Sequence, residues 1–428
     1  MHDGIRADVG TAASTARIAV IPLVLIVSLF FLWGVANNLN DILITQFKKA
    51  FVLSDFQAGL VQSAFYLGYF FFALPAGLFM RRFGYKGAVL AGLALYAAGA
   101  FLFYPAAEAH HYGSFLLALF VLASGLAFLE TSANPLMTVL GPPEGAARRL
   151  NFAQAFNPLG SISGVLIGQH FIFSGVEHSA EQLAAMTPDA RAAYFATESA
   201  AVQTPYLVIG TVVVLWALLI LVTRFPKTMD HDADASGGLS HLGKLMRNRL
   251  FIFSVIAQFF YVGAQVGVWS FLIRYAQDTV PGTLEKGAAN YLTASLVLFI
   301  AGRFLGTFAM RFLPASRLLA TFAVINILLA AVAVLVPGQT GLYALVAISF
   351  FMSVMFPTIF ALGLSGLGDD DRKLGSSLLV MSIIGGAVLT AAMGLVSDLY
   401  GIHSSMGVPL LCFAVILGFA VRSRRAAG

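Results

Sequence analysis

The stretch PKTMDHDADASGGLSHLGKLMRN, residues 226–248, is acidic in its first half and basic in its second, and it has the composition of a flexible connector. Everything around it is apolar. Six hydrophobic runs precede it, near 18–47, 55–80, 86–106, 113–140, 150–174 and 203–225. Six more follow, near 249–278, 285–312, 316–336, 341–366, 372–398 and 405–422. Each matches the roughly 20 residues that a helix needs to cross a hydrocarbon core. The sequence therefore predicts an all-α polytopic membrane protein with 12 transmembrane helices. Its two six-helix bundles occupy residues 1–225 and 249–428, with 226–248 as the linker.

Composition points the same way. Of 428 residues, 59% are hydrophobic and 11% charged, against about 25% charged in a soluble domain, and the mean hydropathy is +0.86. A soluble enzyme is excluded on these figures. The net charge of +5 is no sign of nucleic-acid binding, because in such a chain the position of the cations matters more than their sum. With the N-terminus inside, 19 of the 25 Lys and Arg fall on one side and four on the other. That bias predicts a multi-pass membrane protein with both termini in the cytoplasm. The single cysteine, Cys412, rules out an intrachain disulfide, and no metal-ligand spacing occurs. GLSHLGKL, 238–245, approaches a phosphate loop but ends in Leu and follows no strand.

The halves repeat. One offset of 229 residues aligns FFLWG, 30–34, with FFYVG, 259–263, and also Gly77, Arg82 and Phe83 with Gly306, Arg311 and Phe312. RRL, 148–150, is echoed by RKL, 372–374. An internal duplication accounts for both, giving pseudo-symmetric bundles.

Two carboxylates lie at membrane depth, Asp41 in the first run and Glu130 in the fourth. A carboxylate there costs at least a few kcal/mol unless it is paired, protonated or wetted, which makes each a candidate proton-coupling group. Amides flank them at helical spacing: Asn37 and Asn38 before Asp41, and Asn134 after Glu130. The fifth run adds Gln154 and Asn157, and the seventh carries Gln258, Tyr261, Gln265 and Trp269 on one face. Some of these amides could instead join helices to one another. As a set they suit a neutral, hydroxyl-rich ligand, since amides both donate and accept and aromatic rings cover apolar sugar faces. Arg303 reads as a cap on a neighbouring helix or a snorkelling side chain rather than a ligand contact. No cofactor is implied.

These strings also carry a resemblance. VANNLNDIL (35–43), FQAGLVQSAFYLGYF (56–70), YPAAE (104–108), LETSANP (129–135) and RLNFAQAFNPLG (149–160) closely resemble the bacterial L-fucose–proton symporter family of the major facilitator superfamily. QTPY (203–206), YVGAQ (261–265) and NYLT (290–293) extend the match over nearly the whole chain. The resemblance implies proton-driven symport of a free sugar by a carrier that functions as a monomer. Asp41 and Glu130 match the family's membrane carboxylates, and Asn38, Gln154 and Asn157 match its cavity amides. L-fucose is the expected sugar, with glucose, galactose and N-acetylglucosamine as alternatives carried by relatives; a facilitator or a non-transporting sugar receptor is the other reading. The chain departs from the superfamily loop pattern G-x-x-x-D-R-x-G-R-K by placing Arg81 where the acid belongs. Met355 and Phe356 replace an expected polar-aromatic pair.

Overall fold

Lipid offers no partner to a backbone N–H or C=O, so a run that crosses it must satisfy these groups within itself, as a helix. The computed structural model describes residues 20–51, 55–109, 111–172, 182, 185–225, 238–283 and 285–427, and nearly all of them are helical. We label the membrane segments α1 to α12. α1 is Val20–Phe51; α2 and α3 are the two arms of Asp55–Glu108, folded where Gly84 adopts φ 71°, a backbone that glycine takes without strain. α4 is Tyr112–Val139, α5 is Ala146–Gln154 followed by Phe156–Ile167, and α6 is Gln203–Val222. In the second half, α7 is Arg249–Thr279, α8 Glu285–Ala309 and α9 Ala315–Leu335. α10 is Gln339–Met352 with Met355–Leu364, α11 is Asp369–Met381 with Gly385–Tyr400, and α12 is Gly407–Ala427.

Nine helices among the described residues are long and apolar enough to cross a bilayer. The longest holds two spans, and α1 and the interrupted α5 complete twelve. Of the other described helices, Pro188–Ala200 leads into α6 and Gly238–Arg247 forms the basic half of the connector. Where composition suggests a flexible chain, the structure thus has an ordered helix. Its Leu245 is buried, and its His241 and Lys244 each reach Asp371 of α11 at 2.6 Å.

Within each bundle the first and fifth helices touch through glycine. A Cβ on Gly34 of α1 would lie 2.0 Å from the Asn157 carbonyl oxygen of α5, and one on Gly160 would lie 2.0 Å from that of Phe31. The second bundle repeats this contact: a Cβ on Gly263 of α7 would lie 2.2 Å from Leu389 Cδ1 of α11. Small residues allow such close approach, and in lipid close packing stands in for a hydrophobic driving force. The 229-residue offset carries Gly34 onto Gly263 and Gly160 onto Leu389, so the duplication is visible in the packing as well as in the sequence.

Candidate functional site

Three membrane helices are interrupted near mid-span. α5 breaks at Ala155, α10 between Met352 and Met355, and α11 through the 3-10 turn Ser382–Ile384. Beside these breaks stand Gln154, Phe356 and Ile383, all of which line one cavity of about 630 Å³ between the bundles. The volume falls within the usual range of about 300–1,000 Å³ for small-molecule sites.

The first bundle gives the cavity a polar wall. Asn37 of α1, Glu130 of α4, and Gln154, Asn157 and Ser161 of α5 line it, with Trp33, Tyr66 and Tyr69 between them. Glu130 is 1% exposed. It forms no ion pair with a Lys or Arg among the described residues, and its Oε2 has no hydrogen-bond donor. Asn37 Oδ1 is likewise buried without a donor. Asn157 Nδ2 donates to the Phe30 carbonyl at 3.3 Å, which fixes the amide at the α1–α5 contact.

The second bundle gives an aromatic wall. Trp269 of α7 packs edge-on against Phe299 of α8 with ring centroids 5.0 Å apart, and its indole N–H donates to Ser349 Oγ at 3.0 Å. Ser349 also bonds Ser295. The ring is thereby held at both ends. Gln265, Phe299, Phe356 and Arg303 complete this side. Arg303 lies with its guanidinium carbon 4.8 Å above the Phe299 centroid and donates to the Gln154 carbonyl at 3.1 Å. The cap expected of it is therefore made across the bundles, onto the carbonyl at the α5 break.

Below the cavity, toward the end rich in Lys and Arg, the bundles are joined. Ser376 Oγ of α11 donates to the Thr131 carbonyl at 2.8 Å, and Asn151 Nδ2 donates to Thr358 Oγ1 at 3.0 Å. Lower still, Tyr85 donates to Asp369 at 3.0 Å and Arg81 stands 3.9 Å from Asp370, while Lys373 pairs with Asp369 within α11 at 2.7 Å. The acid missing from the loop pattern at position 81 is supplied by the opposite half. Ser270 and Leu296, toward the other end, are exposed.

The predicted residues divide into three groups. Asn37, Glu130, Gln154, Asn157, Gln265 and Trp269 stand together on the cavity walls. Asn134, Gln258 and Tyr261 are each fully buried and do not line it, which corrects their reading as wall residues. The physical reason is depth. Gln258 and Tyr261 lie one to two turns nearer the basic end than Gln265, with Phe356 edge-on to Tyr261 at 6.0 Å. Asn134 accepts from Gln154 Nε2 at 2.9 Å, so it supports a wall residue from behind. The side chains of Asn38 and Asp41 lie outside the described residues. Sequence reasoning missed Trp33, Phe299 and Phe356 as wall residues; Phe299 and Arg303 at i and i+4 were the available signal.

Two repeated helical bundles around a mid-membrane chamber, polar on one wall and sealed at one end, define the class of alternating-access membrane carriers. The chain belongs to the Major Facilitator Superfamily, whose sequence profile matches residues 23–382. It is 49% identical to the L-fucose-proton symporter of Escherichia coli strain K12 over 95% of this chain and 94% of that one. It is 37% identical to a glucose/galactose transporter of Brucella abortus over 91% and 90% of the two chains. A crystal structure of the E. coli fucose:proton symporter superposes with a TM-score of 0.88 at 48% identity, covering 95% and 99%. A second, described as being in the outward conformation, gives the same values.

Proposed function

We propose that this carrier imports a neutral monosaccharide, L-fucose first, together with a proton. The observation that carries the proposal is Glu130: a carboxyl buried in the cavity wall, beside amides, with no Lys or Arg in ion-pair contact among the described residues. Sealing a bare carboxylate away from water is costly, whereas a protonated one can close with the sugar and donate a hydrogen bond to it. Proton and sugar binding then favour each other. Gln154, Asn157 and Asn37 offer donors and acceptors to the hydroxyls, and Trp269 offers a fixed ring for the apolar sugar face. Asp41, nearer the far end of α1, is assigned the role of first proton acceptor.

The chamber is sealed at its basic end, which supports an outward-facing state with that end and both termini in the cytoplasm; the protein sits in the bacterial inner membrane. Import then requires the Ser376–Thr131, Asn151–Thr358 and Tyr85–Asp369 contacts to part while the opposite end closes. The names of the relatives favour L-fucose, and glucose or galactose is the second reading.

The test is sugar addition to lightly buffered proteoliposomes or cells, with external pH and radiolabel followed together. L-fucose should cause both alkalinisation and accumulation. Alkalinisation by galactose or glucose alone would reassign the substrate. Accumulation of no sugar under an imposed proton gradient would remove the symport reading.

A further inference from the structure

Away from the central cavity, the start of α7 and the end of α12 border an open hollow of about 360 Å³. Its lining is of two kinds. Arg249, in the first turn of α7, and Arg422, in the closing turns of α12, supply the polar part. Ile252, Phe253 and Ile256 of α7 and Met246 of the connector helix supply an apolar trough. Phe253 forms the floor, edge-on to Phe419 with centroids 5.9 Å apart. Gly418 leaves the Phe253 ring uncovered on the α12 side, where a Cβ would come within 3.2 Å of it.

Four Lys and Arg side chains at this end of the molecule have acid partners among the described residues, and Arg249 and Arg422 are not among them. Lys244 has Asp371, Arg81 has Asp370, and Arg372 and Lys373 have Asp369, each within 4 Å. Arg249 and Arg422 have no carboxylate partner among the described residues, and no acid lines the hollow. Two guanidinium groups sharing one rim without an anion repel each other. Their planar forks match the oxygens of a phosphodiester. The apolar trough adjoining them leaves Ile256 43% and Met246 58% exposed. Basic pockets between membrane helices are places where anionic headgroups bind.

We propose that this hollow seats an anionic glycerophospholipid, its phosphate between Arg249 and Arg422 and an acyl chain along Ile252 and Ile256. Charge complementarity selects the occupant: a zwitterionic lipid offers the phosphate but returns a cation to the rim. The bound lipid fastens α7 to α12 beside the connector helix. Nothing in this depends on which sugar the carrier moves.

The full-length protein in detergent, incubated with equal phosphatidylglycerol and phosphatidylcholine of identical chains, is examined by native mass spectrometry. Wild type should retain phosphatidylglycerol preferentially. At about 1 kcal/mol for each basic residue near a surface, Arg249→Gln with Arg422→Gln should reduce that preference about thirtyfold. Arg424→Gln, which removes the same charge from another face of α12, should change it less than about twofold. Gly418→Leu, with both arginines kept, should weaken retention of either lipid. Equal retention by wild type and the double variant overturns the proposal. So does displacement of the headgroup by millimolar inorganic phosphate with no dependence on Gly418, which would make the arginines a site for free phosphate.

Discussion

Replacing Glu130 by Gln keeps the shape of the side chain and its capacity to hydrogen-bond, and removes only its exchangeable proton. With one proton per sugar, a gradient of one pH unit supports about tenfold accumulation, because each unit is worth about 1.4 kcal/mol. Glu130→Gln should still exchange labelled for unlabelled sugar across proteoliposomes, yet its accumulation should fall to about onefold; accumulation equal to wild type would end the coupling assignment. Asp41→Asn should behave alike if Asp41 accepts the proton first, whereas loss of sugar binding in that variant would place it among the binding groups. On the opposite wall, Trp269→Ala removes a ring fixed by Ser349 and Phe299. Aromatic contacts of this kind contribute about 0.5–1.5 kcal/mol, so KM for transport should rise about two- to tenfold. An unchanged KM would show that the sugar does not rest on that ring. Glu130 and the α5 amides were legible in the sequence because a polar group in an apolar run is costly and therefore conspicuous. Phe356 was not, because an aromatic residue in a membrane helix looks the same whether it faces lipid or ligand.

Among elements, the α1–α5 contact and its α7–α11 counterpart differ in what a new methyl group would strike. At Gly34 it strikes the Asn157 backbone carbonyl at 2.0 Å, which cannot yield without moving α5. At Gly263 it strikes side-chain atoms, Leu389 Cδ1 at 2.2 Å and Cβ at 2.6 Å, of which the first can rotate away and the second moves only with α11, whereas at Gly34 every near atom is backbone. Overpacking typically costs about 1–3 kcal/mol, with the larger figure expected where backbone is displaced. Gly34→Ala should therefore lower the melting temperature in detergent more than Gly263→Ala, and should weaken sugar binding through Asn157. Equal melting temperatures would refute this ranking. The duplication was legible as matched strings, but composition gave no sign that the basic half of the connector is a helix held on Asp371. That order comes from two contacts with the carboxylate of a residue 127 to 130 positions away.

For the molecule as a whole, function depends on the free-energy balance between two ways of packing the bundles. Arg81 and Tyr85 on one side and Asp369 and Asp370 on the other help hold the basic end shut. Arg81→Gln with Tyr85→Phe should shift the population toward the state open at that end. In a Cys412→Ser background, Thr131→Cys lies under the seal at a fully buried position and should then react several-fold faster with a permeant maleimide. An unchanged rate would show that these contacts do not govern closure. What the sequence determined by itself was everything set by the bilayer as solvent: the helices, their number, the repeat, and the rarity of Asp41 and Glu130. Those follow from the cost of placing backbone and charge in hydrocarbon, which each segment meets alone. Tertiary structure decided what depends on register and on the meeting of distant segments. It put Gln265 and Trp269 on the wall but buried Gln258 and Tyr261 beneath it, set Arg303 on the Gln154 carbonyl, and supplied Arg81 with an acid from the other half.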